Sequence, residues 1–214
     1  MAAGEGRRLR PITERWPKPI LPIDGRAVVA TLVRQLQAEG MGPITVVTGH
    51  LAEQVEEILD GLDVRFARQP EPDGSADAVR RALEAGAGLP SLVCAADTLF
   101  RPGDLAKVAR ADAAGAVAYR ADPGKTRIEI EDEFVRRVVA SDESLPFSSA
   151  PLWLLTDEIG LEGLPGPPFE LSAAFQRAID AGTRVAAVEI GPTRDLTSPT
   201  DLVRENFPYL GGSP

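Results

Sequence analysis

The residues best placed to do chemistry lie at the start of the chain. Gly4 and Gly6 flank a single residue, so the backbone can turn tightly there and aim successive N–H groups at one anion. Arg7, Arg8, Arg10, Arg15 and Lys18 follow within a short span, opposed only by Glu5 and Glu14. Residues 1–18 therefore carry +3 in a chain whose net charge is −9. A positive island built on a glycine turn inside an acidic protein suits a polyphosphate. Gly-x-Gly alone is weak evidence, since most such turns are solvated loops.

A layered α/β pattern surrounds this turn. Val28, Val29, Leu32, Val33 and Leu36 recur at helical spacing, and Gly40 is a plausible stop. Ile44 to Thr48 reads as a buried parallel strand, and Leu51 to Leu59 as a helix ended by Asp60-Gly61. Val64 to Ala67 is a short strand, Ala76 to Leu83 a helix, and Leu92 to Ala95 another buried strand. Thr126 to Ile130 and Phe134 to Val139 alternate about the acidic turn Glu131-Asp132-Glu133, which predicts a hairpin, with Leu152 to Leu155 available to pair with it. A helix from Leu171 to about Ala181 precedes the strand Val185 to Ile190. Asp97 comes just after an apolar strand, where ligands of open α/β sheets bind.

A chain of 214 residues with 43% hydrophobic and 26% charged content fits one α/β domain with a sizeable core. No apolar run is long enough to span a bilayer, so no membrane partner is expected. One cysteine, Cys94, allows no internal disulfide and fits a cytoplasmic protein. The acidic balance argues against general nucleic-acid binding. With one histidine and one cysteine, any metal must sit on carboxylates. A homo-oligomer is compatible with all of this.

The full opening run, Ala2-Ala3-Gly4-Glu5-Gly6-Arg7-Arg8-Leu9-Arg10-Pro11-Ile12-Thr13 with Pro17-Lys18-Pro19, resembles the signature of the sugar-1-phosphate nucleotidyltransferases. The resemblance implies a three-layer α/β/α, Rossmann-like fold with a mixed, mostly parallel sheet, in a single catalytic domain over residues 1–214. It also implies Mg²⁺-dependent transfer of a nucleotidyl group from a nucleoside triphosphate to a sugar 1-phosphate. Arg8 would then stabilise the leaving pyrophosphate and Lys18 would contact the α-phosphate, with the backbone of Ala3, Gly4 and Gly6 cradling the triphosphate. Gln69 and Gly74, in Gln69-Pro70-Glu71-Pro72-Asp73-Gly74-Ser75, match the segment that reads the base. Asp97 and Asp195 match the metal ligands, and Asp201 is expected to cap a helix starting at Pro199. Glu170, in Phe169-Glu170-Leu171, matches a sugar-hydroxyl contact.

The chain departs from the family pattern in several places. Arg7 replaces a threonine, and Thr197 replaces a glycine. The lysine that contacts the acceptor phosphate is missing from Val139-Ala140-Ser141-Asp142-Glu143-Ser144, which leaves Lys125 or Arg127 to supply that charge. Relatives also have a buried strand before the glycine turn, and its absence here predicts a truncated start. Two alternatives follow: a cytidylyltransferase for a non-sugar phosphate, and a nucleotide-binding pseudoenzyme. His50, Trp153 and Cys94 read as structural.

Overall fold

The computed structural model describes residues 1–122 and 126–207. In chain order the elements are β1 (Pro22–Ile23), β2 (Arg26–Ala27), α1 (Val28–Ala38), β3 (Thr45–Thr48), α2 (Ala52–Ile58), β4 (Arg65–Arg68), α3 (Ser75–Glu84), β5 (Ser91–Cys94) and β6 (Thr98–Leu99). They continue with α4 (Asp104–Ala109), β7 (Ala116–Arg120), β8 (Arg127–Glu131), β9 (Phe134–Ala140), β10 (Ser148–Leu155), α5 (Leu171–Asp180), β11 (Ala186–Glu189), β12 (Arg194–Asp195) and α6 (Pro199–Asn206). No helix among the described residues is long and apolar enough to cross a membrane. The chain divides into two compact units, residues 1–72, 95–100 and 193–214, and residues 73–94 and 101–192.

In the first unit β3 and β4 pair in parallel, from Thr45 opposite Arg65 to Thr48 opposite Arg68. The chain start lies alongside β3. Ala2 bridges Thr48 in parallel, its N–H donates to the Val47 carbonyl (2.7 Å), and Ala96 N–H donates to the Met1 carbonyl (2.8 Å). The helical stripe of α1 packs Val29, Ala30 and Val33 on Val46, Val55, Leu59, Ala2 and Ala96, so the glycine turn grows directly out of a hydrophobic core.

α6 opens with a capping box, in which Ser198 and Asp201 satisfy each other's backbone amides. Burial pushes the Asp201 carboxyl up, but the amides of Ser198 and Thr197 and the Ser198 hydroxyl outweigh it and hold it below the usual carboxylate range. That contribution is present above the unfolded carboxyl's pKa and is lost as pH falls through the depressed folded value. Asp201→Ala is expected to cost about 1 kcal/mol at neutral pH. Denaturant titrations in increasing acid should show the gap to wild type closing below about pH 4.

The second unit holds a six-stranded sheet in the order β5-β10-β7-β11-β9-β8. The long strand β10 runs antiparallel to β5, β7 and β8, while β11 runs parallel to β7 and antiparallel to β9. Helix α5 lies against β9 and buries Leu171, Ala174, Phe175 and Ala178, a helical i, i+3, i+4, i+7 stripe. The α/β class holds, but the mostly parallel sheet does not. Among the described strand pairs only β3–β4 and β7–β11 are parallel. The cause is local: β8 and β9 are joined by two residues, a connection only antiparallel neighbours permit, and β10 inserts between β5 and β7 antiparallel to both.

That two-residue turn is Asp132-Glu133, with φ of 49° and 66° between the paired residues Glu131 and Phe134. Left-handed backbone at both positions favours Asn-Gly and disfavours a glutamate. Glu133→Gly is expected to raise stability by about 1 kcal/mol, read as an upward shift in the denaturation midpoint.

Candidate active site

The glycine turn is fixed by its own side chains. Gly6 has φ +62°, and a Cβ there would come within 2.8 Å of Thr13 Cγ2, so both conformation and space require glycine. Thr13 is buried, and its hydroxyl donates to the Gly6 carbonyl (3.0 Å). His50 Nε2 donates to the Thr13 carbonyl (2.7 Å), the structural role expected of it. Buried Leu9, Pro17 and Pro19 anchor the run on either side of its cations.

A pocket of about 380 Å³ opens on this turn, lined by Gly4, Gly6, Arg7, Arg8, Lys18, Asp97 and Thr197 among others. Its cations are not equivalent. Glu5 accepts from Arg7 Nε (2.8 Å) and Arg10 Nη2 (3.1 Å), and the Arg7 hydrogen bond holds its carboxyl below the usual range. Arg8 is exposed and, among the described residues, pairs with no carboxylate. Lys18 is half-buried, and its ammonium pairs with Asp97 Oδ2. Two residues 79 positions apart and singled out by sequence therefore meet in one pocket.

Asp97 Oδ1 also accepts from the Thr98 hydroxyl (3.2 Å). Thr98 is the antiparallel partner of Asp195, so Asp195 on β12 lies opposite the residue that follows Asp97. Asp195 Oδ2 accepts from the Thr197 hydroxyl (3.2 Å). β12 is held in place by Arg194, which grips both oxygens of Asp24 (2.6 and 2.9 Å) and donates to Glu205 (2.7 Å). Those hydrogen bonds push the Arg194 guanidinium up and hold the Asp24 carboxyl down. Among the described residues no cluster of three or more histidine, cysteine or acidic side chains could hold a metal. Two carboxylates nevertheless fit Mg²⁺, which takes one or two from protein and the rest from phosphate and water.

Gln69 is buried, and its N–H donates to the Thr48 carbonyl (2.8 Å). Gly49 brings it close: a Cβ at this position would lie 2.9 Å from Ala3 Cβ, from the Ala3 carbonyl and from the Gln69 carbonyl. Sequence reasoning missed Gly49, although a glycine directly after a buried strand is the available sign. Ala3 is buried and its carbonyl accepts from His50 N–H (3.2 Å).

In the second unit Gly74 takes φ +103°, and a Cβ there would lie 2.4 Å from the Phe169 carbonyl oxygen. Glu170 Oε2 accepts from the Ser75 hydroxyl (2.6 Å). Arg127 pairs in register with Ser148 and donates to the Leu145 carbonyl (3.0 Å). Lys125 lies outside the described residues. Cys94 and Trp153 are half-buried in β5 and β10.

The family model described as the MobA-like NTP transferase domain matches residues 1–182. The chain is 35% identical over 105 residues to the N-acetylmuramate alpha-1-phosphate uridylyltransferase of Neisseria meningitidis serogroup B, a match covering 46% of each protein. It is 40% identical over 84 residues to the bifunctional protein GlmU of Chromohalobacter salexigens, covering 39% of this chain and 18% of that protein. The chain thus spans less than half the length of these curated relatives. The inositol-1-phosphate CTP transferase of T. maritima shares the fold, with a TM-score of 0.81 at 19% identity over 94% of this chain and 88% of that one. With the family model covering most of the chain and the glycine turn, Lys18 and Asp97 forming one pocket, the protein belongs to the MobA-like NTP transferase domain family.

Proposed function

We propose that the protein transfers a nucleoside monophosphate from a nucleoside triphosphate to a sugar 1-phosphate, releasing pyrophosphate. The observation that carries this reading is the pocket in which the glycine turn, exposed Arg8 and the Lys18–Asp97 pair converge. An oxygen of the acceptor phosphate attacks the α-phosphorus, and the bond from that phosphorus to the bridging oxygen breaks. Pyrophosphate leaves with the electron pair. The acceptor phosphate is already ionised near neutral pH, so no general base is required, and catalysis rests on positioning and charge.

Backbone amides at Ala3, Gly4 and Gly6 cradle the triphosphate, Arg8 meets the β- and γ-phosphates, and Lys18 meets the α-phosphate as a mobile point charge. Gln69 and Gly74 are assigned to the base by the segment they share. Asp97 and Asp195 would hold Mg²⁺, which when bound supplies neutralising charge at the phosphates. Glu170 takes the sugar hydroxyls, and Arg127 or Lys125 supplies the cation for the acceptor phosphate.

Pyrophosphate release, measured across the common nucleoside triphosphates and a panel of sugar 1-phosphates, tests the reading. UTP with N-acetylmuramate 1-phosphate is the first pair to try, given the meningococcal relative. One nucleotide and one acceptor should stand out. A second reading, cytidylyl transfer to a non-sugar phosphate, is favoured by the missing lysine at residues 139–144 and by the likeness to the inositol-1-phosphate enzyme. Turnover confined to CTP and a phospho-alcohol would replace the first reading with the second.

A further inference from the structure

Helices α3 and α5 both begin without a side-chain cap from their own N-cap residues, Gly74 and Glu170. The first amides of a helix have no partner inside it and need one from elsewhere. Here the two helices cap each other. Ala76 N–H, at the start of α3, donates to the Phe169 carbonyl (2.8 Å). Leu171 N–H, at the start of α5, donates to Ser75 Oγ (2.8 Å). Phe169 N–H closes the ring by donating to the Asp73 carbonyl (2.6 Å). The approach is possible only because residue 74 is glycine.

Ser75 does more than accept. Its hydroxyl carries one proton, and that proton goes to Glu170 Oε2 (2.6 Å). A hydrogen bond to a carboxylate at this separation is among the stronger ones available to a neutral donor. Glu170 is exposed, with a long side chain that would otherwise sample many rotamers. Ser75 therefore selects one direction for it, and the remaining oxygen can accept hydroxyls from a ligand.

We propose that Ser75 is a positioning residue for the acceptor: its hydroxyl fixes the start of α5 and aims Glu170 at the acceptor's hydroxyls. Because Ser75 follows Gly74 in the segment assigned to the base, the same turn links nucleotide recognition to acceptor recognition. The inference rests on the assignment of Glu170 to the acceptor under the proposed transfer reaction.

Ser75→Ala, Ser75→Thr and Glu170→Gln, compared with wild type, test it using UTP with N-acetylmuramate 1-phosphate and CTP with inositol 1-phosphate. In Ser75→Ala the KM for the acceptor should rise about five- to tenfold, while kcat and the nucleotide KM stay within about twofold. Threonine, which keeps the hydroxyl, should restore the acceptor KM. Hydrogen exchange at the Leu171 amide should quicken about tenfold or more in the alanine variant only, which shows that the cap was present. Faster exchange with an unchanged acceptor KM makes Ser75 a helix cap alone and overturns the proposal, provided Glu170→Gln raises that KM. An unchanged acceptor KM in Glu170→Gln removes the sugar contact itself, and the proposal with it. Where wild type turns over neither pair, the variants are compared on the pair that the pyrophosphate-release panel selects, and no turnover by wild type anywhere in that panel overturns the transfer reading and this inference together.

Discussion

Arg8→Ala is expected to lower turnover by about a hundredfold or more while leaving the melting temperature nearly unchanged. Arg8 is exposed on a short turn, so truncating it removes little packing, and no carboxylate among the described residues loses a partner. Its neighbours Arg7 and Arg10 are engaged by Glu5, and Lys18 by Asp97, which supports the proposal that Arg8 meets the charge growing on pyrophosphate. Interactions that strengthen in the transition state appear in kcat rather than in substrate affinity. Steady-state kinetics beside thermal denaturation separate the cases. Unchanged turnover with a large drop in melting temperature would make Arg8 a structural residue.

Asp97→Asn should reduce turnover by a similar or larger factor, on the order of 10²–10³. The amide keeps the shape of the carboxylate but removes the charge that pairs with Lys18 and that the proposed divalent ion would use. Lys18 loses its partner in a half-buried position, so the ammonium proposed to meet the α-phosphate is no longer aimed. A Mn²⁺ titration followed by paramagnetic resonance, with nucleotide present, should show the ion bound at least tenfold more weakly than in wild type, as expected when one of two protein carboxylates is removed. Ion binding equal to wild type, with activity still lost, would assign Asp97 to Lys18 alone.

Features carried by local pattern were legible before the structure. The apolar stripes of α1 and α5, the alternation of β8 and β9 and the strand at Thr45–Thr48 all lie where periodicity put them. Helix α4 and strand β7 were not readable. α4 has only six residues, and β7 reads Ala-Val-Ala-Tyr-Arg, where buried alanines give little strand preference. Sheet direction was not readable either, because parallel and antiparallel buried strands can carry the same residues. At the site, residue types suggested Lys18 and Asp97 singly, but their pairing across 79 positions is a property of the fold. The Ser75 hydroxyl bond to Glu170 has no sequence mark, since a serine at a helix start ordinarily caps its own helix.

The discontinuity of the first unit bears on how the protein is made. Strand β6 has its partner at Arg194–Asp195, and the glycine-turn pocket counts Thr197 among its walls. A ribosome adding residues from the N-terminus therefore presents Gly4, Arg8 and Lys18 long before the residues that complete their surroundings exist. The second unit, residues 73–94 and 101–192, is fully synthesised first. Contacts this distant in sequence form late and slowly. A nascent chain that has not yet reached Thr197 holds the glycine turn and all its cations with one wall of the pocket still to be made.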